Sequence, residues 1–145
     1  MKLTYQILLV EDSAPDAHLA RRAFQESSFE SEINHAKDGD QAMAMLRQEG
    51  DYADLPRPDL VMLDLNMPGK NGRQVLNEMR ADDSLKSIPV VVLSTSTHED
   101  DIAESYRLGG NSYVVKPVEL QEFFSVIERT QQYWFRICTL PAFRS

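Results

Sequence analysis

The run Leu60–Leu63 is apolar at every position, ends at the carboxylate of Asp64 and is followed by turn-forming residues up to Gly72. Four consecutive apolar residues are typical of a strand that is buried on both faces of a sheet. Pro68 and the Asn71-Gly72 pair cannot continue a central strand, and they indicate a turn. The stretch therefore predicts an aspartate at the carboxyl end of a buried parallel strand, where open α/β sheets place their ligand sites.

Four further strand-like segments alternate with helical patterns along the chain. They cover residues 7–10, 32–36, 90–93 and 112–115, and Ser13, Asp38 and Thr97 are predicted to cap the helices that follow three of the strands. Such alternation predicts an α/β fold, a doubly wound three-layer sandwich with helices on both faces of a five-stranded parallel sheet. A chain of 145 residues suits one such domain. We expect residues 1–134 to form it and residues 135–145 to form a C-terminal tail.

The charge and cysteine content narrow the class of protein further. The net charge is −8, which argues against a nucleic-acid partner and against attraction to an anionic membrane surface. Cys138 is the single cysteine of the sequence, so no internal disulfide is possible and a reducing compartment is expected. No apolar run approaches the roughly 20 residues of a membrane span. We therefore expect a soluble, cytoplasmic protein.

Polar side chains stand at the carboxyl ends of the predicted strands, and these ends meet at one edge of a parallel sheet. Three carboxylates in one cleft repel each other, and a set of hard oxygen ligands suits Mg²⁺. A lysine and a hydroxyl can then bind an oxyanion, so the set predicts a phosphoryl-transfer site with Mg²⁺ as cofactor. Its members are Glu11, Asp12, Asp64, Ser94 and Lys116.

Several separated motifs resemble, in order and spacing, the receiver domain of two-component response regulators. They are Glu11-Asp12, Leu63-Asp64-x-x-Met67-Pro68-x-x-x-Gly72, Leu93-Ser94 and Tyr113-x-x-Lys116-Pro117. The resemblance covers roughly residues 5–130. It implies the flavodoxin-like topology of chemotaxis regulators, with strand order 2-1-3-4-5 and five helices.

The resemblance also implies roles for these residues. Asp64 would accept a phosphoryl group from the phosphohistidine of a sensor histidine kinase, so the protein would be a signalling switch and not an enzyme that turns over a substrate. Mg²⁺ would be held by the side chains of Asp12 and Asp64 and by the main-chain carbonyl of Asn66. Glu11 would position metal-bound waters. Phosphate binding and switching would involve Ser94, Thr95, Lys116 and Tyr113, with a cis peptide bond before Pro117.

A narrower resemblance is to the single-domain regulators that partner cyanobacterial and bacterial phytochromes. It is carried by the loop at residues 50–59, by residues 64–73 and by the tail around Tyr133 and Trp134. It implies that the cognate kinase is a phytochrome and that the protein forms homodimers.

The three consecutive aromatic residues Tyr133, Trp134 and Phe135 cannot all face the same side of a helix, because neighbouring side chains are about 100° apart. At least one of them therefore faces away from the core of its own chain. We expect these aromatics to contribute to a homodimer surface made by the fourth helix, the fifth strand and the fifth helix. The alternative is that residues 135–143 fold back and cover them.

Other functions remain as alternatives. An aspartyl-phosphate hydrolase would carry Asp-x-Asp at the nucleophile, whereas this chain has Asn66 at the second position. A flavin or nucleotide binder would need a glycine- or hydroxyl-rich phosphate loop after the first strand, where Glu11-Asp12 would repel phosphate in the absence of a metal. A receiver that has lost phosphorylation and serves only for docking is the remaining possibility.

Overall fold

The computed structural model describes residues 4–65, 67 and 69–141. Its strands are β1 (Tyr5–Val10), β2 (Ser31–Ala36), β3 (Leu60–Leu63), β4 (Val90–Ser94) and β5 (Ser112–Val115). Its α-helices are α1 (Ala14–Gln25), α2 (Gly39–Leu46), α3 (Gly72–Ala81), α4 (Glu99–Arg107) and α5 (Leu120–Gln132). A 3₁₀ turn (Gly50–Tyr52) precedes β3, and a π-helical turn (Tyr133–Ile137) continues α5. Within the described residues, no helix is long and apolar enough to cross a membrane.

All five strands lie parallel in one sheet, in the order β2-β1-β3-β4-β5. The predicted fold, a flavodoxin-like sandwich with five strands and five helices, is confirmed. Val10 of β1 pairs with Leu63 of β3, and the N–H of Asp64 donates to the carbonyl of Val10 at 3.1 Å. The residues that follow β1 and β3 therefore leave the sheet side by side.

The central strands are apolar throughout because both of their faces are covered by helices. In β3, Leu60 and Met62 belong to the apolar cluster that α1 and α5 complete. Val61 and Leu63 belong to the cluster on the opposite face, which α2 and α3 complete. All four side chains are buried. The unbroken apolar run is thus the expected sequence of a strand that contributes alternate residues to two cores.

Two of the three predicted helix caps are confirmed. The side chain of Ser13 accepts from the N–H of Asp16 at 3.3 Å, and that of Asp38 accepts from the N–H of Gln41 at 2.8 Å. The prediction for α4 is wrong by one residue, since the N-cap is His98 and not Thr97. The reason lies in the preceding loop, where the hydroxyl of Ser96 accepts from the N–H of His98 at 3.2 Å.

The C-terminal aromatics divide between core and surface. Tyr133 is 49% exposed, as expected of at least one member of the group. Phe135 is buried and stacks on Tyr5, with ring centroids 3.8 Å apart and an interplanar angle of 6°. The expectation that Phe135 contributes to a dimer surface is therefore wrong, because this side chain folds back onto its own chain. Leu120, at the start of α5, is 45% exposed.

Candidate functional site

Three carboxylates meet where β1 and β3 end. Glu11 and Asp12 follow β1, Asp64 follows β3, and one carboxylate oxygen of each lies within 4.8 Å of the others. Glu11 is buried, Asp64 is 13% exposed and Asp12 is exposed. The cluster is a direct consequence of the parallel register of β1 and β3, and it confirms that the sequence-predicted acids are brought together.

Lys116, which follows β5, reaches across the edge of the sheet to this cluster. Its Nζ lies 2.6 Å from Oε1 of Glu11, 3.6 Å from Oδ2 of Asp16 and 3.9 Å from Oδ2 of Asp64. The lysine side chain is 13% exposed, so water screens these contacts poorly. Asp16, in the first turn of α1, is not among the predicted site residues, and its contact with Lys116 could not be read from spacing along the sequence.

Burial and ion pairing have opposite effects on the pKa values of Glu11 and Lys116, which form the 2.6 Å contact. Burial raises the pKa of Glu11 above its ordinary 4.5, and the hydrogen bond and charge of Lys116 offset only part of this effect. Burial alone would lower the pKa of Lys116, but Glu11, Asp64 and Asp16 outweigh it and raise that pKa above its ordinary 10.5. Lys116 is therefore firmly cationic at neutral pH, whereas Glu11 holds its proton more readily than an exposed glutamate does.

The three carboxylates fit a hard divalent cation. Oxygen ligands of mixed exposure suit Mg²⁺, which keeps several waters and takes few carboxylates. Three negative charges around one ammonium leave the described cluster with an excess of negative charge, which a divalent ion would balance. The main-chain carbonyl of Asn66, the fourth predicted ligand, lies outside the described residues.

Ser94 and Tyr113 are joined through a residue that sequence reasoning missed. Ser94 is buried, and its hydroxyl accepts from the N–H of Ser96 at 3.2 Å. The hydroxyl of Tyr113 donates to the carbonyl of Ser96 at 2.9 Å. Ser96 stands in a Ser/Thr-rich loop, and nothing in that pattern separates it from its neighbours. The two predicted switch residues are thus linked by one intervening residue.

Gly72 and Asn71 fix the main chain beside Asp64. The N–H of Gly72 donates to the carbonyl of Leu65 at 3.2 Å, and a Cβ at position 72 would collide with the carbonyl oxygen of Asp64. The side chain of Asn71 caps α3 and forms a reciprocal capping box with Gln74. The glycine of the Asp64 motif is therefore explained by the close approach of α3 to the loop that carries this aspartate.

Two further predictions concern Thr95 and Pro117. Thr95 is exposed, and it lines a cavity of about 180 Å³ that also includes Lys116, Pro117 and Phe123. The peptide bond before Pro117 is trans, as are all the peptide bonds of the described residues, so the implied cis bond is corrected. Trans is the favoured form of an X–Pro bond by about 0.5–1 kcal/mol.

This geometry, a parallel sheet with an acidic triad and a lysine at its carboxyl edge, defines a class of signalling domain. Residues 7–128 match the family model of the response regulator receiver domain. The chain belongs to this family, and its resemblance to receiver domains is confirmed.

Individual relatives narrow the class. The chain is 45% identical over 136 residues to response regulator Rcp1 of Synechocystis sp., an alignment that covers 94% of this chain and 92% of Rcp1. It is 47% identical to the phosphorylated cyanobacterial phytochrome response regulator RcpA, with a TM-score of 0.90 and coverage of 96% of this chain and 99% of RcpA. The Mn²⁺-bound form of Rcp1 gives 44% identity and a TM-score of 0.87, with coverage of 95% and 99%. The chain is therefore closely related to phytochrome response regulators.

Proposed function

We propose that Asp64 is the phosphoacceptor of this response regulator and receives its phosphoryl group from the phosphohistidine of a sensor histidine kinase. The observation that carries the proposal is the placement of Asp64 within 4.8 Å of two further carboxylates and 3.9 Å from the ammonium of Lys116. An oxygen of Asp64 attacks phosphorus as the P–N bond of the phosphohistidine breaks, and the imidazole nitrogen keeps the electron pair. The protein then acts as a switch that changes its partners, and not as an enzyme with turnover.

Each residue of the cluster has a role in this transfer. The carboxylates of Asp12 and Asp64, with the carbonyl of Asn66, would hold Mg²⁺, and Glu11 would orient its waters. The bound ion supplies positive charge that offsets the charge of the phosphoryl oxygens. Lys116 needs to shift only from Glu11 toward Asp64 to donate to a phosphoryl oxygen, since its ammonium already lies between them. Binding of the ion beside Glu11 would weaken the lysine's attachment there and favour this shift.

The phosphoryl group would be read by the loop after β4. The hydroxyl of Ser94, at the buried end of the strand, would donate to a phosphoryl oxygen, with Thr95 at the same edge. Movement of Ser94 would carry Ser96 with it and break or reshape the bond from Tyr113. The surface of α4 and β5 would then change as a shift between two arrangements of one fold.

The partner kinase is proposed to be a phytochrome. The support is the relationship to Rcp1 and RcpA, of which RcpA is described as a cyanobacterial phytochrome response regulator. A net charge of −8 supports a protein partner over a nucleic acid. The single cysteine supports the proposed reducing, cytoplasmic location.

We also propose a homodimer through the face formed by α4, β5 and α5. Large apolar side chains are exposed on each of these elements and just after them, a pattern that favours a protein interface. They are Tyr106, Val115, Leu120 and Tyr133.

The sequence analysis placed Phe135 on this surface and in a tail beyond residue 134. Because Phe135 instead packs within the domain, we propose that the receiver domain extends at least to this residue.

Intact mass measurement tests the phosphoacceptor directly. Wild-type protein incubated with acetyl phosphate and Mg²⁺ should gain one phosphoryl group, and omission of Mg²⁺ or the substitution Asp64→Asn should abolish the gain. Asp83→Asn, which neutralises a highly exposed aspartate in the loop after α3, is the matched control and should behave as wild type. No phosphorylation of folded wild-type protein would leave the docking module as the better account.

A further inference from the structure

The main chain of Glu11 is hydrogen-bonded to the end of β2 through both its N–H and its carbonyl. The N–H donates to the carbonyl of Ala36 at 3.0 Å, and the carbonyl lies 2.7 Å from the ring Nε2 of His35. A carbonyl oxygen can only accept a hydrogen bond, so Nε2 of His35 carries the hydrogen and donates it. Glu11 lies one residue beyond the end of β1, so this side chain continues the bonding between β1 and β2 past their last paired residues, Val10 and Ala36.

The carbonyl that His35 binds belongs to the peptide group that joins Glu11 to Asp12. Because a peptide group is planar, a bond that fixes its carbonyl also fixes the direction in which the chain continues to the Cα of Asp12. The residue after Asp12 is held as well, since the N–H of Ser13 donates to Oε2 of Glu11 at 3.3 Å. Asp12 is exposed, so little of its side chain is packed, and the bonds on either side of it hold its main chain in place.

We propose that His35 is a positioning residue for the divalent-cation site. Its ring N–H holds the peptide between Glu11 and Asp12 in the orientation that brings the Asp12 carboxylate within 4.8 Å of the other two acids. This inference rests on the proposed function, in which Asp12 is a ligand of Mg²⁺. Because Mg²⁺ requires near-ideal octahedral geometry, a ligand whose main chain is free to turn binds the ion less tightly than one that is held.

A second side-chain bond between the same two strands lies at the opposite end of the sheet. Nε2 of Gln6 donates to Oε2 of Glu32 at 3.0 Å, and these residues are partners in the register of β1 and β2. Loss of the Gln6 bond weakens the attachment of β1 to β2 and leaves the peptide before Asp12 held. Loss of the His35 bond weakens the same attachment and also frees that peptide. The two bonds therefore separate a general effect on strand pairing from an effect on the metal site.

Titration with Mn²⁺, with the free ion followed by electron paramagnetic resonance, tests this inference. His35→Phe keeps a ring and removes the donor, so its Kd for Mn²⁺ should be about three- to tenfold higher than that of wild type, as expected for the loss of one hydrogen bond that favours the bound geometry. His35→Gln keeps an N–H donor at a similar reach, so it should bind Mn²⁺ within about twofold of wild type. Gln6→Ala removes its cross-strand bond without a change of charge and is the matched control, with a Kd equal to that of wild type. Should His35→Phe fail to fold, His35→Leu also lacks a donor and should show the same weakening.

Nitrogen-15 NMR of the neutral His35 ring gives a second readout, which does not depend on the metal, and it should place the hydrogen on Nε2. A hydrogen on Nδ1 would overturn the role of His35. Mn²⁺ binding by the folded variants without a donor that equals wild type, or equal weakening in His35→Gln or Gln6→Ala, would overturn it as well. Failure of wild type to bind Mn²⁺, or binding by Asp12→Asn as tight as that of wild type, would instead overturn the metal site of the proposed function.

Discussion

Lys116 contacts three carboxylates in the described structure, and these contacts set the chemistry of the site at the scale of single residues. The ammonium is 2.6 Å from Glu11 and 3.9 Å from Asp64, so it is attached chiefly to the residue that is not the proposed acceptor. A cation beside Glu11 competes with this attachment. In the proposed function, a bound cation would thus make Lys116 available for a phosphoryl oxygen, and metal binding would control the position of this ammonium.

The pKa of Asp101 offers a test of the contacts around Ser96. The hydrogen bond from Ser96 holds this pKa below its ordinary 3.8, burial opposes it, and the charges of Arg73 and His98 lower it further. A carboxyl with a depressed pKa adds stability that is present above pH 3.8 and is lost as the pH falls through the depressed value. Ser96→Ala should therefore raise the pKa of Asp101 toward 3.8 and reduce the loss of unfolding free energy below that pH.

Carbon-13 NMR titration of the aspartate carboxyls measures this change. Ser84→Ala is the matched control, because Ser84 likewise lowers the pKa of Asp82 through its side chain and main chain. The Ser84→Ala variant should raise the pKa of Asp82 and leave the pKa of Asp101 unchanged. An unchanged Asp101 in Ser96→Ala would show that the Ser96 bond is absent in solution.

At the scale of secondary-structure elements, the C-terminal π-helical turn is part of the domain core. Phe135 stacks on Tyr5 of β1 and lies edge-on to Phe29, and the hydroxyl of Tyr5 donates to the carbonyl of Phe135 at 3.2 Å. Arg136 covers the Phe29 ring, with its guanidinium carbon 5.0 Å from the ring centroid. The segment after α5 thus joins the first strand to the last helix.

Phe135→Ala should lower the free energy of unfolding by about 3 kcal/mol or more, as expected for the loss of a buried aromatic side chain. Ile137→Ala removes an apolar side chain that is 74% exposed in the same turn, and it should change stability by less than about 0.5 kcal/mol. Urea denaturation followed by circular dichroism gives both values. Similar values for the two variants would contradict the packing of Phe135 described above.

Phe135 continues the buried series Phe123, Ile127 and Gln131 at the four-residue spacing of a helix. Trp134 is partly buried and packs against the same apolar cluster. The N–H of Cys138 donates to the carbonyl of Tyr133 at 2.8 Å, the wider spacing of a π-turn. Spacing along the chain could show that the three aromatics face different sides, but the stacking of Phe135 on Tyr5 depends on a contact between the two ends of the domain, which local periodicity cannot reveal.

The acidic cluster could be predicted from the sequence because its members stand directly after strands. Glu11, Asp12 and Asp64 follow buried strands directly, and parallel strands of neighbouring register bring such positions together without any detail of loop conformation. Ser96, Asp101 and Arg73 meet only because of the path of the loop after β4 and the placement of α4 against α3. No spacing rule connects residues on a loop and two helices in this way.

At the scale of the whole molecule, the sheet separates two kinds of surface. The carboxyl edge carries the acidic cluster, whereas the face of α4, β5 and α5 carries exposed apolar side chains such as Tyr106 and Leu120. Asp101 and Glu104 of α4 pair with Arg73 of α3, and Asp101 also accepts from the hydroxyl of Ser96 in the loop after β4.

The proposed homodimer gives a prediction at this scale. Light scattering at micromolar concentration should give twice the mass of one chain for wild type. The double variant with Leu120→Ser and Tyr133→Ser removes apolar area from the proposed interface, so it should give the mass of one chain. Glu49→Ser, an exposed substitution in the loop after α2, should leave the dimer intact. A monomeric wild type would contradict this interface.

The central claim is that Asp64 carries the phosphoryl group, and reduction of the phosphorylated protein with borohydride tests it most directly. Borohydride converts an aspartyl phosphate to homoserine, which peptide mass spectrometry then places in the sequence. We predict homoserine at position 64 after treatment with acetyl phosphate and Mg²⁺, and none in a sample kept without Mg²⁺. Homoserine at position 12 instead, or at no aspartate of the phosphorylated protein, would contradict the account.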